Sequence, residues 1–301
     1  MYKYLPSYTA ITSIGKGGTL KLKAGQEQVK FWCVPDLDNL ELLHATYITH
    51  AFARHTHETF AIGVIEQGAA AFDRRGATHI ASTGNVVAIN PGEAHACHTV
   101  IEKGYTYRMM YPSVALLQQV TSEITGRQQD LPSFSTPIIQ DEQLTQLVCN
   151  LHITLETSTC QLERESSLSW SLAQLIKRHA DEHLVLRRVG RERQAVRQAK
   201  EYLEAHYADN VSLEKLANIA NLSPFHLTRV FCHEVGLPPH VYLTQVRILR
   251  AKKLLSQGWA IAQVALETGF AHQSHLNRHF KRLVGITPRQ YKIMSKNVQD
   301  R

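Results

Sequence analysis

The sequence predicts an α+β protein of two domains, an N-terminal β-barrel with accessory helices and a C-terminal all-α domain of two helix-turn-helix units. Three observations lead there. Short aromatic and β-branched runs bounded by turn residues fill 40–112, helical periodicity takes over after Pro112, and a duplication occupies the last hundred residues. The length of 301 residues fits about two domains at ~150 residues each.

YITHAF, FAIGVIEQG, GAAAFDRRG, NVVAINPGE and YTYRMMYP each read as a strand. Several short strands at such spacing make an all-β barrel or a sandwich. Helices are expected over Val114–Ile124, Asp141–Glu156 and Glu163–His183. Leu144, Leu147, Val148, Leu151 and Leu155 stack on one face of the second, and Leu168, Leu172, Leu175 and Ile176 on one face of the third. These helices cap the barrel core or supply a dimer interface. The barrel is placed at about 30–112 and its helices at about 113–185, within a first domain of 1–186. Polar residues 187–193, around Gly190, form the linker to a second domain of 194–301.

Composition narrows the function classes. No apolar run approaches the ~18–20 residues that span a bilayer, and the first residues lack the order of a secretory signal. Five cysteines, odd in number and widely spaced, suggest neither a disulfide framework nor a structural zinc site. A cytoplasmic location is expected. GKGG at Gly15 lacks the Ser/Thr and helix of a phosphate loop and reads as a surface turn, and no G-x-S-x-G elbow is present. No catalytic residue and no cofactor are assigned. The positive charge is unevenly spread: residues 190–301 hold 17 Lys+Arg against 8 Asp+Glu, the rest 16 against 18. A basic half points to a bound polyanion, the alternative being a solvated basic surface.

The duplication supports the first reading. Ala217 and Leu222 match Ala265 and Phe270 at a spacing of 48 residues. Leu227, Arg229, Phe231, Gly236, Pro239 and Tyr242 match Leu276, Arg278, Phe280, Gly285, Pro288 and Tyr291 at 49. Each copy has helix-turn-helix punctuation, at about 212–236 and 261–285. Ser212 caps a helix from Leu213 to Ala220, and Ser223 with Pro224 starts another that stops at Gly236. In the second copy Ile261–Thr268 leads, Gly269 turns, Gln273 or Ser274 starts the next helix, and Gly285 ends it. Leu227, Val230 and Phe231 form a core stripe, matched by Leu276, His279, Phe280 and Leu283. The outward stripes are Phe225, Thr228, Arg229 and Cys232, and Ser274, Asn277, Arg278 and Lys281. Arginine there can grip a guanine edge or clamp a phosphate.

Residues 191–295 resemble the double helix-turn-helix domain of the AraC/XylS family of bacterial transcription regulators. The motif residues are Ala265, Gly269-Phe270, Ser274, Arg278, Phe280-Lys281, Gly285, Thr287-Pro288 and Tyr291, with RILRAKKLLSQG before them. The resemblance implies seven helices, Pro239–Ser256 joining modules that enter successive major-groove segments of double-stranded DNA. It implies DNA contact at Phe225, Thr228 and Arg229, and at Gln273, Ser274, His275, Asn277 and Arg278, to which the outward stripe adds Lys281. Pro224 and Phe225 depart from polar character, so the first module reads shape or a thymine methyl more than a donor pattern.

HTHETFAIGVIEQG (55–68) and GNVVAINPGEAH (84–95) resemble the cupin-like sensor barrel of the same family. His55 and His57 lie on one strand face, and His95 arrives after the Pro91-Gly92 turn. Three histidines can bind a divalent metal. However, Ala61, Ile62 and Gly63 stand where metal cupins carry Glu, and the second segment lacks the metal spacing. No metal is expected. A small-molecule effector is, with His55, His57, Glu58, His95 and Tyr107 as its contacts. Tyr105, Tyr107 and Tyr111 share a strand face, either in the pocket or in the core. Arg108, on the other face, is expected to pair with Glu93 or Glu102. A homodimer through the helices after the barrel is expected, with RNA polymerase as a further candidate partner and no membrane. A metal-dependent cupin enzyme with a DNA-binding tail and a ligand-independent DNA-binding dimer are the competing readings.

Overall fold

The computed structural model describes residues 27–181 and 192–299. The glycine segment at Gly15 and linker residues 187–191 lie outside them. The chain divides into two compact units. The first runs to Leu117 and takes in Ser133–His152; the second holds Gln118–Pro132 and the chain from Ile153 on.

Among the described residues nine strands make up the first unit's sheets: β1 (Gln28–Val34), β2 (Leu40–Tyr47), β3 (Ala51–His55), β4 (Ala61–Arg74), β5 (Ala77–Ser82), β6 (Val86–Ile89), β7 (His95–Thr99), β8 (Tyr105–Tyr111) and β9 (Ile138–Ile139). Every pairing is antiparallel. One sheet runs β1-β2-β8-β4-β6-β9, and the other joins β5, β4, β7 and β3. FAIGVIEQG and GAAAFDRRG, expected as two strands, are one. The first half of β4 pairs with β6 and β8, its second half with β5 and β7. Gly68 is the corner between them rather than a turn. Its φ is +79°, and a Cβ there would lie 2.1 Å from the Gly104 carbonyl oxygen. A strand that changes sheets needs such a bulge, and the register against β8 shifts between Ile65 and Gln67.

The barrel core gathers Leu43, Tyr47, Ile65, Phe72, Val87, Ile89, Cys97, Tyr105, Tyr107 and Met109 from both sheets. Alternation along β8 decides which faces point inward. Tyr105 and Tyr107 enter the core and Arg108 does not. Arg108 pairs with neither Glu93 nor Glu102. Its Nε donates to Glu66 Oε1 at 2.6 Å, and Glu66 Oε2 lies 2.9 Å from His44 Nε2. Arg108 and His44 are register partners, so the strand pairing itself assembles the trio. Glu93 instead binds Arg74 at 2.6 Å and Arg75 at 2.7 Å.

After β8 come α1 (Val114–Thr125), α2 (Glu142–Thr157) and α3 (Gln161–His179). Leu144, Val148, Leu151 and Leu155 are buried along α2, and Leu168, Leu172, Leu175 and Ile176 along α3. Residues 192–299 form seven helices: α4 (Arg193–Ala205), α5 (Leu213–Ile219), α6 (Pro224–Val235), α7 (Pro239–Ser256), α8 (Ile261–Glu267), α9 (Gln273–Val284) and α10 (Pro288–Gln299). The duplicated residues fill two equivalent cores. Ala217, Leu227, Val230 and Phe231 pack with Leu243, at the start of α7. Ala265, Phe270, Leu276 and Phe280 pack with Ile248, Ala251 and Leu255, at its end. Ser212 caps α5 by accepting the Lys215 N–H at 3.2 Å, and Gly236 and Gly285 end α6 and α9 in the left-handed region. The turns correspond as well: Asn221 at φ +51° and Gly269 at φ +75° hold the same place in the two copies.

Candidate effector site and nucleic-acid interface

The three barrel histidines converge. His55 and His95 are register partners across β3 and β7, and His57 follows β3 into the loop that binds the Gly92 N–H at 2.7 Å. Ring centroids lie 4.4 Å apart for His55 and His95, 4.8 Å for His55 and His57, and 5.2 Å for His57 and His95. Backbone carbonyls set two tautomers. His55 Nδ1 donates to Ala53 O at 2.8 Å and His95 Nδ1 to Glu93 O at 3.0 Å, which turns each Nε2 toward the cluster. His57 Nε2, 3.2 Å from His55 Nε2, then acts as the donor. Burial, aided by the neighbouring imidazoles, pushes His57 down to about 4, and burial also lowers His95. The site is a cluster of mixed donors and acceptors.

Tyr111 packs on the His57 ring at 5.3 Å. Tyr107, expected among the effector contacts, is 5% exposed and packed between Tyr47 and Tyr105 in the barrel core, and the tyrosine that meets the cluster is Tyr111. Glu58 is exposed. Three imidazoles in this arrangement can hold a divalent cation or a polar effector group. The nearby Glu93 carboxylate is already committed: although burial opposes it, Arg74 and Arg75 hold it below the usual range.

The helix-turn-helix units present their second helices differently. On α9, Gln273, Ser274, Arg278 and Lys281 are exposed and Asn277 is half-buried. His275 is buried at 7% exposure, its backbone N–H donating to the His272 ring that caps the helix. Leu283, expected in the core, is 40% exposed, because the stripe of Leu276 and Phe280 continues to Val284 instead. On α6 the outward stripe is covered. Phe225 and Thr228 are buried, and Thr228 Oγ1 donates to Pro224 O at 3.0 Å within its own helix. α3 packs along α6, and the end of α1 is hydrogen-bonded to it. Glu123 Oε2 accepts the Phe225 N–H at 3.1 Å, and Arg229 Nη1 donates to Ile124 O at 2.8 Å. Sequence periodicity places these α6 residues on one face correctly but carries no sign of bonds from a hundred residues upstream.

The comparisons match this architecture. An AraC-like ligand binding domain matches residues 39–172, and a helix-turn-helix domain matches 216–293. YbfI, an uncharacterized HTH-type transcriptional regulator of Bacillus subtilis, is 34% identical over 76% of this chain and 82% of its own length. AdaA of the same species, a bifunctional transcriptional activator/DNA repair enzyme, is 36% identical over 32% of this chain and 46% of its own length. Among solved structures, the C-terminal domain of AraT from Geobacillus stearothermophilus is 31% identical, covering 35% of this chain and 88% of that chain at a TM-score of 0.33. No described helix is long and apolar enough to cross a membrane. With a ligand-binding domain ahead of a duplicated helix-turn-helix, and with YbfI alike over most of both lengths, the chain belongs to the AraC family of transcriptional regulators.

Proposed function

We propose that a small polar effector, held by His55, His57, Glu58 and His95 beside Tyr111, governs whether the first helix-turn-helix unit can reach DNA. The observation that carries this reading is the seat of α1 on α6. α1 begins in the first unit and ends in the second, so it belongs to the chain of both. Its last turn occupies the Phe225 N–H and the Arg229 guanidinium, groups that would otherwise face a groove. The exposed residues of α9, Gln273, Ser274 and Arg278 with Asn277, read base edges, and Lys281 holds a phosphate. Phe225 and Arg229 join them when α1 leaves. Thr228 hydrogen-bonds within its own helix and His275 packs on Phe270, and neither is assigned a DNA contact.

In this reading the barrel senses and does not catalyse, the protein acts in the cytoplasm as a homodimer, and RNA polymerase is its downstream partner. The test is a melting screen of metabolites on the full chain, followed by operator binding with each hit. Effectors should raise the melting temperature and change operator affinity, and alanine at His55, His57 or His95 should remove both effects. Metal held stoichiometrically by these histidines, and lost together with the DNA response on chelation, would replace the effector reading by a metal-dependent one.

A further inference from the structure

Apart from these two sites, α3 and α9 bring together another set of ligating side chains. Glu163, in the first turn of α3, and His275 and His279 of α9 each offer one ligand atom, and these atoms lie within 4.8 Å of one another. The histidines are four residues apart, so the helical repeat stacks them on one face, with ring centroids 4.7 Å apart. They are 7% and 6% exposed. Nε2 of each is buried without a hydrogen-bond partner. Two such nitrogens in one small space are an uncommon arrangement in a folded protein unless something binds them. The carboxylate is oriented for that purpose, Ser158 Oγ donating to Glu163 Oε2 at 2.5 Å.

We propose that Glu163, His275 and His279 form a site for a divalent transition-metal ion of the zinc class, which fastens α3 to the second recognition helix. Two imidazoles and one carboxylate suit zinc and leave a fourth position for water. Tetrahedral zinc with bonds of ~2.0–2.1 Å sets its ligand atoms about 3.3 Å apart. The cluster therefore closes by at most ~1.5 Å, within the reach of side-chain rotation. Phe270 holds both rings, meeting them at 5.4 and 5.9 Å. Arg247, Arg278, Arg282 and His240 also act on the cluster. Their positive charge works against a dication, and Glu163 is the counter-charge that offsets it.

The site is independent of the effector reading, and its test uses neither DNA nor effector. Chelator-stripped full-length protein is dialysed against zinc(II), and bound metal is measured per chain for the wild type, His279→Gln, Glu163→Gln and His57→Ala. Cobalt(II) spectra are recorded alongside. One equivalent of zinc should bind to the wild type and to His57→Ala, with the visible bands of tetrahedral cobalt(II). His279→Gln and Glu163→Gln should weaken it at least tenfold and lose the bands. Circular dichroism checks each fold. If His279→Gln does not fold, the conservative Glu163→Gln variant carries the decision. Equal retention by wild type and Glu163→Gln, or loss confined to His57→Ala, would overturn the proposal.

Discussion

Arg229 Nη1 donates to the carbonyl oxygen of Ile124, 105 residues upstream, at 2.8 Å. The matched arginine of the second unit, Arg278, is exposed. Two residues equivalent by duplication are thus in opposite states, one covered and one available. Glu123→Ala removes the companion bond to the Phe225 N–H. A hydrogen bond to a charged group contributes ~1.5–3 kcal/mol, so release of α6 should raise operator affinity about tenfold without effector. Fluorescence anisotropy on a selected duplex measures this, and unchanged affinity would remove α1 from the mechanism.

Arg278→Ala should cost ~1–3 kcal/mol on the specific site and relax preference at one base pair, while barely changing binding to random DNA. Lys281→Ala should weaken all sequences alike and reduce the salt slope by about one. Titrations at several salt concentrations separate the two. Equal losses on operator and random DNA would make Arg278 a phosphate clamp.

Acid should loosen the barrel. His57 titrates near 6.5 when unfolded and at about 4 when folded, so the unfolded chain binds more protons between those values. The stability that comes from keeping this ring neutral is complete above pH 6.5 and declines as pH falls toward 4. Melting temperatures across that range should fall more for the wild type than for His57→Asn. Parallel curves would assign the acid sensitivity to other groups.

Much of this architecture is written locally. The duplication, the caps at Ser212 and Gly236 and the apolar faces of α2 and α3 depend on neighbours within a few turns, and a sequence pattern carries them. β4 was divisible at Gly68 only because glycine marks a turn and a close approach equally well; the Gly104 carbonyl that decides between them is 36 residues away. The histidine cluster was legible because β3 and the Pro91-Gly92 turn place its members. The partner of Arg108 was not, since Glu66 reaches it through strand pairing rather than proximity in sequence. Nor was the burial of His275, because Glu163 approaches it from another helix.

The turn glycine gives a stability test with its own control. A Cβ at Gly269 would lie 2.7 Å from Ala208 O, whereas one at Gly236 would meet nothing within 4 Å; both residues have positive φ. Gly236→Ala should cost ~1 kcal/mol from backbone conformation alone. Gly269→Ala should cost more, through the added clash. Denaturant melts of the two variants give the difference, and equal losses would show that the α8–α9 turn yields freely. Asn221 fills the equivalent left-handed position in the first unit, so Gly269→Asn isolates the clash from the dihedral.

Helix α7 belongs to both small cores, contributing Leu243 to one and Ile248, Ala251 and Leu255 to the other. Its 18 residues make a rod of ~27 Å that sets angular phase as well as distance. One residue inserted between Leu243 and Ile248 would advance the second module by only ~1.5 Å but rotate it by about 100°. Each module would keep its own fold and its own grip on a half-site, while their joint alignment with a right-handed duplex would be lost. The chain length between the two modules therefore sets a rotation more than a distance.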